Sequence, residues 1–103
     1  MTRDVTVTLI TPVMAADQYG IPQPQTERRV NVLAGCQSVS QAEFFEAGRN
    51  GLRPEYKFSL FLGDYDGQKI LEYNGKMYSI YRTYIGKSDT VELYVQETGG
   101  TNG

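Results

Sequence analysis

The dipeptide Asn74-Gly75 lies between two runs of strand-forming residues, and it constrains the fold more than any other feature of the chain. Both residues tolerate the positive φ of a type I′ turn, which is the tightest connection between antiparallel strands. The flanking runs are Lys69–Tyr73 and Met77–Ile85. The sequence therefore predicts a β-hairpin in the C-terminal half of the chain.

Four further runs are rich in β-branched or aromatic residues and are bounded by Gly, Pro or Asp: Thr6–Ile10, Arg28–Ala34, Tyr56–Leu62 and Val91–Val95. Short turns separate the last four runs, so we expect them to form a four-stranded antiparallel meander. Six short strands and one helix predict a mainly β fold, a small antiparallel six-stranded β-barrel with long loops. The length of 103 residues allows one domain, which we place at residues 1–97, before a disordered tail at 98–103.

The segment 11–27 is rich in residues that break regular structure, because it contains Pro12, Gly20, Pro22 and Pro24. We predict a long exposed loop here. A loop of this length in so small a domain is either an interaction arm or a mobile connector.

The run Ser40-Gln41-Ala42-Glu43 has the pattern of a capping box, in which the Ser and Glu side chains each accept a backbone N–H of the other residue. It predicts an α-helix from Gln41 to about Arg49, the only helix of the domain, which either Gly48 or Gly51 would end. Phe44 and Phe45 point about 100° apart on such a helix, so we expect one ring to pack on the barrel and the other to reach outward. A helix this short needs a surface to lie on, either the barrel or a neighbouring subunit.

Residues that could carry catalysis or bind a metal are scarce. The chain has no His, and Cys36 is its only cysteine, so it lacks the commonest general base and the usual thiolate sites. The run Asp64–Gly67 resembles the start of a calcium loop, but the remaining ligands are missing and a turn explains it better. Glu43 and Glu46 lie one helical turn apart, as on a solvated face. We expect no enzyme activity, no cofactor and no metal.

Charge and cysteine content indicate where the protein works. The net charge of −2 argues against a surface built throughout to bind nucleic acid. A single cysteine is typical of a reducing compartment. No long apolar stretch follows Met1–Val5, and no run is long enough to span a membrane. We expect a cytosolic product without membrane contact.

The run Met77–Ile85 carries bulky residues on both faces. Strict alternation places Tyr78, Ile80 and Tyr84 on one face and Met77, Tyr81 and Ile85 on the other. A strand of this kind is either central or half covered by a second chain. We therefore assign an assembly surface to four tyrosines: Tyr78, Tyr81, Tyr84 and Tyr94.

Four segments together resemble one known family: Ser38–Arg49, Pro54–Phe58, Ile70–Tyr84 and Val91–Val95. The family is that of the head–tail adaptor or head-closure (stopper) proteins of long-tailed bacteriophages and prophages. The resemblance covers about residues 30 to 97. The first two segments form one block and the last two a second block, and the blocks follow each other in the same order as in the family. It implies a small β-barrel with long loops.

The resemblance also implies a function. Subunits of this family form a ring, usually twelve-fold, below the portal and its adaptor, where they close the DNA-filled head and dock the tail. Partners would be the portal or adaptor ring protein, a tail terminator or tail protein, other copies of the chain, and packaged DNA. The protein would act in the virion and assemble in the cytoplasm of the bacterial host.

In the family, the segment that corresponds to about Ser40–Tyr56 projects toward the channel and helps to gate it. The stronger helix signature here also fits a segment that clasps a neighbouring subunit. Repetition of Arg49 and Arg53 around a ring would create a basic collar that contacts DNA by charge alone. The candidate channel or inter-subunit residues are Ser40, Glu43, Phe44, Phe45, Arg49 and Arg53.

Two alternatives remain open. A tail-completion or terminator subunit would also be small, β-rich and ring-forming. A small β-barrel binding module would show the same strands, but it would keep its aromatic residues in one compact groove.

Overall fold

The computed structural model describes residues 5–16 and 22–97, which form six strands and one α-helix. The strands pair antiparallel and close into a barrel in the order β1-β2-β3-β6-β5-β4, with β4 returning to β1. The predicted six-stranded barrel and the helix at residues 41–49 are both confirmed. The elements are β1 Val5–Ala16, β2 Pro22–Gln37, α1 Gln41–Arg49, β3 Pro54–Phe61, β4 Ile70–Tyr73, β5 Lys76–Ile85 and β6 Thr90–Glu97.

The interior of the barrel is filled by alternate residues of all six strands. Phe58 is fully buried, and its ring lies 5.1 Å from that of Tyr73 and 5.8 Å from that of Tyr56 in tilted or edge-on contacts. Such contacts stabilise the fold beyond the burial of apolar area alone. The core is completed by aliphatic side chains that include Val7, Leu9, Val32, Leu60, Leu71, Val91, Leu93 and Val95.

The predicted four-stranded meander is wrong in one connection. β4, β5 and β6 follow one another as expected, but β3 pairs with β2 and β6 rather than with β4. The chain between β3 and β4 makes a 3₁₀ turn at Leu62–Asp64 and then crosses one end of the barrel. Pairing β3 with β6 closes the barrel, which removes sheet edges that a simple meander would leave open.

The predicted loop at 11–27 is also wrong, because β1 and β2 continue as a paired ribbon from Thr11↔Arg28 to Ala16↔Pro22. We call the two strand segments, 11–16 and 22–28, the arm. Within the described residues the arm pairs with no third strand, since β1 meets β4 only at Thr8–Ile10. Each arm strand thus has an open edge, where proline is tolerated. Residues 17–21, and the tail predicted to be disordered at 98–103, lie outside the described residues.

A β-bulge in β5 changes which side chains share a face. The register with β6 shifts between Ile80 and Arg82, so Tyr81 is the extra residue. Tyr78 and Ile80 face the core, and Tyr78 is 3% exposed, whereas Tyr84 is 59% exposed. The expectation that these three residues share a face is wrong, because a bulge reverses the alternation beyond it.

The predicted Asn74-Gly75 hairpin is confirmed, with φ of 57° and 81° at the two residues and Tyr73 paired with Lys76. Replacing Gly75 with Val should lower the free energy of unfolding by about 1 kcal/mol or more, because a β-branched residue resists positive φ. Urea denaturation measures this change. Lys76→Val, at an exposed strand position next to the turn, is the control and should be nearly neutral. Equal midpoints for the two variants would contradict the turn assignment.

Candidate functional site

Helix α1 begins and ends as its sequence predicts. The Ser40 hydroxyl oxygen accepts a hydrogen bond from the Glu43 backbone N–H at 3.1 Å. At the other end, the Asn50 and Leu52 N–H groups each donate to the Ala47 carbonyl at 3.0 Å, and Gly51 takes a φ of 80°. These bonds satisfy backbone groups that a helix end would otherwise leave unpaired.

The Glu43 side chain does not complete the predicted capping box and holds the helix to the barrel instead. Its carboxylate accepts hydrogen bonds from the Tyr81 hydroxyl, at 2.8 Å, and from the Arg82 guanidinium. The carbon at the centre of that guanidinium lies 4.7 Å from the centre of the Tyr94 ring, a cation–π contact. We call Glu43, Tyr81, Arg82 and Tyr94 the latch.

The expectation that Glu43 and Glu46 lie together on a solvated face is wrong for Glu43. Glu43 is 8% exposed, while Glu46 is exposed and contacts Arg49 at 3.5 Å. A carboxylate can be buried here because a cation and a hydroxyl both bind it. The latch thereby joins α1 to the bulged part of β5.

Burial raises the pKa of the Tyr81 hydroxyl above its ordinary value of 10.0, and the hydrogen bond to Glu43 raises it further. Tyr81 therefore remains protonated and keeps donating to the carboxylate when an exposed tyrosine would ionise. This link between α1 and β5 should persist throughout the neutral and mildly alkaline range.

The raised pKa makes the contribution of Tyr81 to stability depend on pH. The contribution is fully present below pH 10, and it is lost as the pH rises toward the folded-state pKa, because the unfolded chain then ionises more readily. Denaturation of the wild type and of Tyr81→Phe at pH 8 and pH 11 measures this effect. The stability advantage of the wild type should shrink at pH 11. An advantage that stays constant would show that the Tyr81 pKa is not raised.

Phe44 and Phe45 are both exposed, 47% and 60% respectively, so the expectation that one of them packs on the barrel is wrong. Their rings contact each other edge-on, with centroids 5.9 Å apart. The barrel side of α1 is instead formed by Glu43 and Ala47, which are four residues apart and therefore on one face. Because the latch fixes that face, both Phe side chains point away from the core.

Arg49 and Arg53 follow the aromatic pair and are also accessible. The Arg49 side chain is 79% exposed. Arg53 is exposed as well, and its backbone N–H donates to the Gln96 side-chain oxygen at 2.9 Å, which fixes the loop against β6. The predicted segment from Ser40 to Arg53 thus presents two aromatic and two basic side chains to the outside.

The four tyrosines assigned to an assembly surface separate into three environments. Tyr78 lies in the core, so its assignment is wrong. Tyr81 and Tyr94 are half buried in the latch. Tyr84 is exposed together with Ile85 and Phe61, and Phe61 and Ile85 pair with the first two residues of β6, Thr90 and Val91.

The exposure of Phe61 was not predicted from the sequence. The available signal was its place at the end of a strand, where alternation no longer guarantees a covering partner.

Within residues 5–16 and 22–97, no three His, Cys, Asp or Glu side chains are grouped so as to hold a metal ion. In the same part of the chain, no helix is long and apolar enough to cross a membrane. Neither the protein-family models nor the curated proteins contain a match to this chain.

Proposed function

We propose that this protein is a structural subunit of a phage head–tail connector, which forms a ring that closes the DNA-filled head and docks the tail. One observation carries the proposal. The latch uses a buried carboxylate to hold α1 so that Phe44 and Phe45 both face outward. An exposed aromatic pair on a fixed helix is typical of a surface that another protein covers.

The position of the basic residues supports the same role. Arg49 and Arg53 lie within and just after the helix that carries the aromatic pair. In a ring, one side of this segment would contact a neighbouring subunit while the repeated guanidinium groups line the channel. Packaged DNA would then meet a basic collar that binds phosphate without reading sequence.

The distribution of exposed apolar residues favours an assembly subunit over a binding module. Among the described residues, large exposed apolar side chains occur on α1, on β2, at the end of β3 and at the end of β5. A module that binds one ligand would gather them in a single groove. Separate surfaces suit a subunit that has several neighbours.

Sedimentation and imaging test the proposal. The purified protein at micromolar concentration should sediment as one small species, because the chain has a low mean hydropathy, whereas permanent oligomers usually have a more apolar interface. Mixed with the products of the neighbouring genes, it should join a ring that electron microscopy can resolve. A large stable ring of the protein alone would contradict assembly on a template. Failure to join any portal, adaptor or tail ring would contradict the connector role.

A further inference from the structure

One edge of β5 is left open where its neighbour ends. β4 has only four residues, and its last pairing with β5 is Ile70↔Ser79. Beyond this point the Ile80 N–H donates to the Lys69 carbonyl, and the described residues offer no further strand on that side. β5 continues to Ile85, paired only with β6.

The hydrogen bonds around β6 show which groups point to this open edge. The Gly86 N–H donates to the Thr90 carbonyl, and the Leu62 N–H donates to the Asp89 carbonyl. Bonded and non-bonded pairs alternate along an antiparallel ladder, and Gly86 belongs to a bonded pair. Tyr84 and Arg82, two and four residues before Gly86, therefore also bond to β6. Thr83 and Ile85 therefore direct their N–H and C=O groups away from β6, which leaves the open edge with two donors and two acceptors.

A cleft of about 290 Å³ lies beside the open edge. Tyr65, Gly67 and Lys69 line one side, and Ile80–Thr83 line the other. The lining includes two basic side chains, Lys69 and Arg82, and no acidic one. An extended segment bound along the edge could place side chains in this cleft. Because Glu43 already balances the charge of Arg82, the cleft suits a segment that carries no positive charge.

The β1 strand of the arm suits such an edge. Thr11–Ala16 carries no charged residue, and Val13–Ala16 is apolar. Pro22 and Pro24 lack the N–H donors that strand addition needs, so they blunt the outer edge of β2. The outer edge of β1 at Val13–Ala16 contains no proline and pairs with no other strand in the described chain.

We propose that the β1 edge of the arm of one copy adds as a strand to the open β5 edge, Thr83–Ile85, of the next copy. The inference rests on the proposed function and specifies how neighbouring subunits join. The two edges are different surfaces, so the contact is head-to-tail and can propagate around a ring. Main-chain hydrogen bonds give such a contact its affinity, and the cleft beside β5 gives it specificity.

Disulfide trapping in the full chain tests this contact. In a Cys36→Ala background, the double variant Ala15→Cys/Thr83→Cys is oxidised at high protein concentration. A bridge within one copy would leave the protein at the size of a monomer, whereas bridges between copies give a ladder of dimers, trimers and larger species, which is the result we expect. A mixture of the two single variants should give dimers alone.

Two controls make the result specific. Ala15→Cys/Glu55→Cys places the second thiol on an exposed residue at the opposite end of the barrel and should give no ladder. Adding Ile85→Pro to the trapping pair removes a donor from the open edge but none from the β6 ladder, so the ladder of species should disappear while the circular dichroism spectrum is kept. A trapping pair that oxidises no further than the Glu55 control overturns the proposal, and so does a ladder that survives Ile85→Pro.

The same variants separate this inference from the proposed function. If rings form with the neighbouring gene products but the thiols do not cross-link, the arm contact is refuted and the connector role stands. If the cross-linked ladder forms but the protein joins no connector ring, the contact stands and the connector role is refuted.

Discussion

Replacing Glu43 with Ala should lower the free energy of unfolding by about 2 kcal/mol and release α1 from the barrel. The carboxylate accepts hydrogen bonds from Tyr81 and Arg82, and bonds to charged groups contribute about 1.5–3 kcal/mol each. Arg82 is 51% exposed, so solvent screening reduces its contribution below that range, to about 0.5 kcal/mol, and most of the loss comes from the Tyr81 bond. The better helix propensity of Ala offsets a few tenths of a kcal/mol.

Glu46→Ala is the matched control for this prediction. It removes a carboxylate from the same helix, but Glu46 is exposed and its contact with Arg49 is a surface ion pair, so the loss should stay within about 0.5 kcal/mol. Urea denaturation measures both variants, and hydrogen exchange of the α1 amides reports release of the helix. Equal losses, or α1 amides protected equally in both variants, would show that the latch does not hold the helix.

Local sequence signals predicted the elements of this fold well. Ser40 and the Gly51 region bounded α1 correctly, because a cap and a C-terminal glycine act within a few residues of the chain. Asn74-Gly75 predicted its hairpin for the same reason. The run Val91–Val95 likewise predicted strand β6. Each of these features is determined by neighbours in sequence.

Features that depend on distant residues were predicted poorly. The partner of β3 is decided by closure of the barrel, and no residue between β3 and β4 signals it. The bulge at Tyr81 moves Tyr84 from the face of Tyr78 and Ile80 to the exposed face, and no glycine next to Tyr81 signals the bulge. Glu43 is buried only because Tyr81 and Arg82 stand opposite it, some 40 residues along the chain, as the separations of 38 and 39 show. The proline-rich segment 11–27 was excluded from strands, although prolines fit a ribbon whose strands each have an open edge.

The largest functional effect is expected from Arg49 and Arg53. Both side chains follow the outward-facing aromatic pair, and neither is needed to hold the fold: Arg49 makes a surface contact with Glu46, and Arg53 is tied to Gln96 through its backbone. Changing both to Ser should therefore alter the free energy of unfolding by no more than about 0.5 kcal/mol. Because the fold should be unaffected, any defect of particles that carry the double variant can be attributed to the loss of the two charges.

In assembled particles, Arg49→Ser/Arg53→Ser should make heads leak DNA or fail to join tails, because the collar would lose two positive charges per subunit. The readout is the fraction of DNA-filled heads and of tailed particles, counted by electron microscopy. Arg28→Ser, at the base of the arm, removes an exposed positive charge outside segment 40–54 and is the control. Since counterion release makes contacts with phosphate weaken with salt, raising the salt should weaken DNA retention in wild-type heads, and the double variant, which lacks these contacts, should respond less to salt. Particles that carry the double change, retain their DNA and join tails normally would show that these arginines are ordinary surface residues.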